Sequence, residues 1–237
     1  MSGDGRETEA ELERIRAAYA RRAQALPADH YRTDRPVNLF HRVGKERALI
    51  EAFNRRGLVP LAGKRLLDVG CGVGDWLASF ESYGLARVDL AGIELDPARA
   101  AAARARLAGA DVREGSADRL PWPDASFDLV SQFVVFSSIL AEPLRLQIAA
   151  EMRRVLRPGG AIVWYDFFVD NPGNRDVRRV GKPELARLFP GFRLELRRCT
   201  LAPPIARRLV PRSWTAAALL ERLKLLDTHY IGLLTRP

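Results

Sequence analysis

A doubly wound α/β fold on a mostly parallel sheet is predicted by three features of the chain. A short apolar run, Leu66, Leu67 and Val69, is interrupted by Asp68 and passes straight into alternating glycines at 70, 72 and 74. A buried parallel strand turning into a helix has this form. Strand-like and helix-like segments then alternate from Arg87 to Phe167, as repeated βαβ units do. The length of 237 residues, 47% of them hydrophobic, suits one such domain with additions.

Composition narrows the function classes. No apolar stretch approaches the ~18 residues of a membrane span. The acidic start (Asp4, Glu7, Glu9, Glu11, Glu13) lacks the apolar centre of a secretory signal. Cys71 and Cys199 lie far apart, so neither a disulfide framework nor a zinc site is expected, and the chain reads as cytoplasmic and reduced. The net charge of +9 resides in residues 171–237, with 14 basic and 5 acidic side chains. A basic third can face nucleic acid, anionic lipid or an acidic small molecule. Arg outnumbers Lys 34 to 4, however, which also fits a general compositional bias.

Residues 1–60 read as a helical cap. Glu7–Ala25 places Leu12, Ile15 and Tyr19 on one face, and Pro27 ends it. Asp29–Pro36 is a polar connector; Asn38 is the expected N-cap of a second helix that Gly57 stops. The core, 61–200, opens with strand 66–69 and a helix from Trp76 to Tyr83. Strands are expected at 87–94, 111–114, 126–132, 161–167 and 192–200, with helices at 98–107, 139–156 and 182–188. Arg157-Pro158-Gly159-Gly160 reads as a tight turn. Residues 201–227 form an insert broken by Pro203-Pro204 and Pro211, with an amphipathic helix from Trp214 to Leu226. Its length marks a lid over substrate, or else a dimer or membrane-surface contact. A last strand, 228–235, completes seven.

The glycine turn carries the first chemical signal. Without Cβ atoms at Gly70, Gly72 and Gly74 a ligand can lie against the backbone. The helix that follows aims free N–H groups at an anionic moiety. A dinucleotide site requires G-x-G-x-x-G, but the sixth position from Gly70 is Asp75. Glu94 ends the second strand 20 residues beyond Gly74; an acid there accepts hydrogen bonds from ribose hydroxyls. Leu95 beside it would pack on a base. Asp96-Pro97 reads as an N-cap followed by a first-turn proline.

The spacing Asp68-x-Gly70-x-Gly72-x-Gly74, followed in order by Glu94, Asp118, Phe127-Asp128-Leu129-Val130 and Arg157-Pro158-Gly159-Gly160, resembles the class I S-adenosylmethionine (SAM) methyltransferases. The likeness spans residues 64–167 and is nearest to the small-molecule, ubiquinone-biosynthesis-like branch. It implies a seven-stranded sheet whose last strand is antiparallel. It also implies SAM as cofactor, S-adenosylhomocysteine as product, and a methyl acceptor that is a small O, N or C nucleophile. Asp68, Gly70, Cys71, Gly72 and Gly74 would cradle the cofactor, and Glu94 would take its ribose. Asp118 would accept from the adenine amino group beside the backbone of Ala117. Gln132 and Phe133, past the fourth strand, would border the methionyl moiety and the acceptor.

Base candidates are His41, Tyr165 and Asp166, with His229 behind them; each also fits a packing role. Tyr31 and Arg42 belong to the covering region as well. No spacing suits a carboxylate metal cluster. Ser131-Gln132-Phe133-Val134 stands where amino-methylating nucleic-acid enzymes carry Asn or Asp, two prolines and an aromatic. DNA is therefore not expected as a partner. RNA methylation through the basic third and non-catalytic SAM binding remain the alternatives. The aromatic side chains Phe133, Phe136, Trp164, Phe167 and Trp214 suggest an apolar, aromatic acceptor, and the basic third suggests an acidic one.

Overall fold

The computed structural model describes residues 3–27, 30, 32–171 and 173–236. Tyr31 and part of the 29–36 connector lie outside them. The strand β1 (Leu66–Val69) is buried at every position because it lies mid-sheet, paired in parallel with β2 (Leu90–Glu94) and β4 (Phe127–Phe133). Beyond them lie β3 (Asp111–Glu114), β5 (Leu156–Phe167), β6 (Arg193–Leu201) and β7 (Asp227–Thr235). The order is β3-β2-β1-β4-β5-β7-β6, and β7 runs antiparallel to both neighbours. One apolar layer joins α1 (Gly3–Ala25), α5 (Glu142–Val155) and α6 (Lys182–Leu188) to the sheet. The opposite face is covered by α2 (Pro36–Arg55), α3 (Asp75–Ser79) and α4 (Pro97–Arg106).

Local chemistry shifts several element boundaries. Asn38 does not cap α2. Pro36 starts that helix, needing no N–H partner in the first turn, and the Asn38 amide instead donates to the carbonyl oxygens of His30 and Arg32 at 2.8 Å each. The second strand begins at Leu90, since Arg87–Asp89 forms a 3₁₀ turn tied by Arg87 to Glu81 at 2.8 Å. Likewise α5 begins at Glu142, after a 3₁₀ turn at 136–138. There the Glu11 carboxylate of α1 accepts the N–H groups of Leu140 and Ala141, which also seats α1. The turn at 157–160 is a bulged extension of β5, with Gly159 left-handed at φ +76°.

The insert folds as two helices, α7 (Pro203–Leu209) and α8 (Trp214–Arg222). Pro203 and Pro204 start α7 instead of breaking the chain, as prolines in a first turn do. α8 stops at Arg222, four residues short of expectation, because Lys224 turns left-handed at φ +59° and the Leu226 carbonyl accepts the Ala202 N–H. Phe40 of α2 packs edge-on against Trp214 with centroids 5.0 Å apart, which fixes α8 to α2.

A buried ion pair holds the α5–α6 junction. Arg145 is fully buried, donates from Nε to the Ile139 carbonyl at 2.6 Å, and pairs through Nη1 with Glu184. Removing the carboxylate leaves a buried cation uncompensated. Glu184→Ala is expected to lower stability by about 3 kcal/mol in denaturant titration. The exposed Glu142→Ala, which frees Arg187, should change it by less than about 0.5 kcal/mol.

Candidate functional site

The end of β2 shapes the glycine turn. The Ile93 carbonyl accepts the N–H groups of Gly70 and Cys71 at 2.9 and 3.1 Å. The Glu94 carboxylate accepts those of Gly72 (2.8 Å) and Asp96 (3.0 Å). A side chain at 70 or 72 would meet two obstacles at once. Both glycines are left-handed, and a Cβ would fall 2.6 Å from Val135 or from the Arg99 guanidinium. Gly74 serves packing, since a Cβ there would meet Leu107, just past α4, at 2.8 Å. The Cys71 thiol is buried beside Gly92, and burial pushes its ionisation well above the ordinary range, so it is not a nucleophile at neutral pH.

Over this turn opens a cleft that encloses about 100 Å³ and is otherwise open to solvent. Gly70, Glu94, Leu95, Ala117 and Phe133 line it, and Leu12, Ile15 and Tyr19 of α1 close it from above. Its walls are mostly apolar with a few convergent polar groups, the character of a small-molecule site. The buried Ser116 hydroxyl in its wall has no hydrogen-bond partner among the described residues. Arg99, another lining residue, reaches Glu94 at 3.9 Å and lies over the Tyr19 ring at 4.8 Å.

Asp118 stands in the same turn, one residue past the wall. Gln132 is placed elsewhere. Its buried amide donates to the Tyr165 carbonyl (3.3 Å) and accepts from the Val135 N–H (3.0 Å), bracing the left-handed Val134. Asp68 is buried behind the turn, accepting the Ser131 hydroxyl at 2.7 Å. Burial pushes its carboxyl up to about 7, and the nearby Glu94 charge adds to the rise.

A second cluster gathers across Phe133. That ring stacks on Trp76 with centroids 4.6 Å apart and lies 6.0 Å from Tyr165. Tyr165 in turn stacks on His229 at 4.6 Å. The half-buried Lys45 ammonium sits over Trp76 and Tyr165, at 4.5 and 4.9 Å from their centroids. It has no carboxylate or hydrogen-bond partner among the described residues. Burial pulls its ionisation down to about 8.

His41 borders this cluster, with Nε2 3.1 Å from the Leu201 carbonyl. Burial first, and the Lys45 charge second, pull it down to about 4. The Tyr165 hydroxyl bonds Thr200 Oγ1 at 2.9 Å. Asp166 is buried apart from both regions, accepting from Ser137 N (3.0 Å) and Phe167 N (2.8 Å), and burial raises it to about 6. None of His41, Tyr165 and Asp166 lines the cleft.

Residues 67–164 match the family described as a methyltransferase domain. These residues form a domain of the class I SAM-dependent methyltransferase kind. It is 34% identical over 179 residues to the 27-O-demethylrifamycin SV methyltransferase of Amycolatopsis mediterranei, covering 68% of this chain and 64% of that protein. It is 32% identical over 137 residues to the phthiotriol/phenolphthiotriol dimycocerosates methyltransferase of Mycobacterium leprae, covering 57% and 45%. The chain therefore spans about half to two thirds of these relatives' length. Among solved structures, the [4+2]-cyclase SpnF superposes with a TM-score of 0.56 at 23% identity over 81% of each chain. A SAM-dependent methyltransferase from Methanosarcina mazei does so with 0.54 at 17% identity, covering 73% and 92%. These likenesses show the fold.

Three residues of the cleft and the aromatic cluster carry little signal in the sequence. Arg99 and Ser116 left faint signals, three residues after the Asp96 cap and one before Ala117. Lys45 is one of only four lysines in an arginine-rich chain.

The buried Asp68 gives the protein a pH signature. Its folded-state value lies above the unfolded one, so its contribution is most favourable below about pH 4 and is lost as pH rises through about 7. Asp68→Asn removes that loss. In thermal melts its stability advantage over wild type is expected to grow between about pH 4 and 7, by at most ~1.4 kcal/mol per pH unit, and to level off above.

Proposed function

We propose that this chain transfers a methyl group from SAM to an O, N or C nucleophile of a small apolar or aromatic molecule. The observation that carries the cofactor assignment is the convergence of the glycine turn, Glu94 and the unpartnered Ser116 hydroxyl on one apolar cleft. Each Glu94 oxygen receives one backbone N–H, and a carboxylate oxygen accepts more than one. That leaves acceptor capacity for two ribose hydroxyls. Leu95 and Ala117 offer apolar and backbone surface to an adenine, with Ser116 and Asp118 as its polar neighbours. Arg99, lying over the turn, is a cation for a carboxylate.

The cofactor supplies an already activated sulfonium methyl and leaves as S-adenosylhomocysteine. The protein's remaining work is to hold an acceptor in line and to exclude water. α1 closes the cleft with Leu12, Ile15 and Tyr19, which serves exclusion. The printed names of the relatives pair them with small-molecule acceptors, one of them at an oxygen.

The acceptor class follows from Lys45. An ammonium held against two aromatic faces without an anion suits an aromatic acceptor bearing an acidic oxygen. The rings receive its body, and Lys45 holds its charge. A strong base is then unnecessary, because an ionised phenol or carboxylic acid is itself the nucleophile. The placement of His41, Tyr165 and Asp166, each engaged in a packing hydrogen bond, accords with this.

Calorimetric titration tests the cofactor first. SAM and S-adenosylhomocysteine should bind wild type in the micromolar range, and Glu94→Ala should weaken both by about tenfold or more. No binding to wild type would refute the assignment. With phenols and aromatic carboxylic acids as acceptors and release of S-adenosylhomocysteine as readout, Lys45→Met should raise KM far more than it lowers kcat. In wild type, KM for such acceptors should climb as pH passes about 8, where the ammonium is lost. Preference for neutral acceptors would remove the Lys45 role while leaving methyl transfer intact.

A further inference from the structure

The insert shows solvent an unusual surface. Leu219, Leu223 and Leu225 are 60, 61 and 74% exposed, and Trp214 and Leu226 are exposed beside them. Leu219 of α8 and Leu223, the helical-backbone residue that caps it, lie four positions apart and so share a face. Leu39 and Val43, a turn apart on α2, are exposed too. Isolated surface leucines need no explanation, but a cluster of this size on two joined helices marks a contact surface.

The charges of the same segment are sorted by side. Residues 201–227 carry five cations, Arg207, Arg208, Arg212, Arg222 and Lys224, and two acids, Glu221 and Asp227. Both acids point inward, at 3 and 4% exposure. Glu221 faces the Leu201 N–H and Arg47, and Asp227 pairs with Lys224 at 3.3 Å. Among the described residues none of the four arginines has a carboxylate partner. The exposed side chains of this segment are therefore leucines and Trp214 together with arginines that no acid compensates.

We propose that α8 and the leucine turn after it dock this protein on an anionic lipid bilayer. Apolar side chains would enter the boundary of headgroups and acyl chains while the arginines meet the negative surface. A second copy of the chain fits the same surface poorly. A two-fold contact sets a patch against itself and would oppose one set of arginines to another. The surface adjoins α2, the helix that carries Lys45, and Phe40–Trp214 packing fixes it there. An apolar acceptor dissolved in the bilayer would thus lie near the aromatic cluster. Docking itself does not depend on the acceptor reading, since it is measured without cofactor or acceptor.

The test is co-sedimentation of the full chain with vesicles of phosphatidylcholine alone and with about one third phosphatidylglycerol. Binding is expected to be about tenfold or more tighter on the anionic vesicles and to weaken with salt. Leu219→Ser/Leu223→Ser/Leu225→Ser should abolish it, and Arg207→Gln/Arg208→Gln/Arg212→Gln should erase the anionic preference. These side chains are exposed, and an unchanged melting temperature checks that each variant folds. Absence of binding, equal binding to both vesicles, or undiminished binding by the leucine variant would overturn the proposal. So would a concentration-dependent dimer that the leucine variant loses, or salt-sensitive binding to bulk RNA with none to vesicles.

Discussion

The hydrogen bond from the Gly72 N–H to the Glu94 carboxylate is the constraint on which the site depends. It ties the strand-to-helix turn after β1 to the end of the neighbouring strand, and the Ile93 carbonyl makes the link double. The turn can adopt its left-handed backbone only because residues 70 and 72 lack side chains. Placing a carboxylate there costs desolvation, and two backbone N–H groups offset part of it. The cleft and its acid are thus one construction: the group that would receive a ligand also holds the loop beneath it.

Above that construction α1 is held by polar contacts as much as by apolar ones. The Glu11 carboxylate accepts the N–H groups of Leu140 and Ala141 and pairs with Arg14, which itself donates to the Ser138 carbonyl at 2.6 Å. Leu12 and Ile15 of the same helix join the core between these contacts. A cover fixed in this way has a defined seat, since hydrogen bonds specify register where leucine packing alone would tolerate sliding.

How much could be read in the chain varied with the kind of signal. Strand β1, the turn after it, Glu94 and the helix at 182–188 were legible because glycine spacing, strand periodicity and a terminal acid depend on neighbours a few positions away. Element starts at α2 and α5 were obscured where a first-turn proline overrode the more familiar cap at Asn38, or a 3₁₀ turn used up the early residues. Gln132 sits where a ligand-facing residue was expected, but the left-handed Val134 turn claims its amide. The Lys45 cluster was invisible for another reason. Trp76, Phe133, Tyr165 and His229 come from four separate elements, and only the sheet order brings them to one helix.

Phe133 belongs to both groups: it walls the cleft on one side and stacks on Trp76 on the other. A single aromatic ring is thus a partition, and a partition cannot move on one side only. A substitution at this ring that reshapes the aromatic cluster also reshapes the wall of the cleft. Change confined to the cluster should therefore fall on Lys45 and Tyr165, beyond the ring, with position 133 left as fixed masonry.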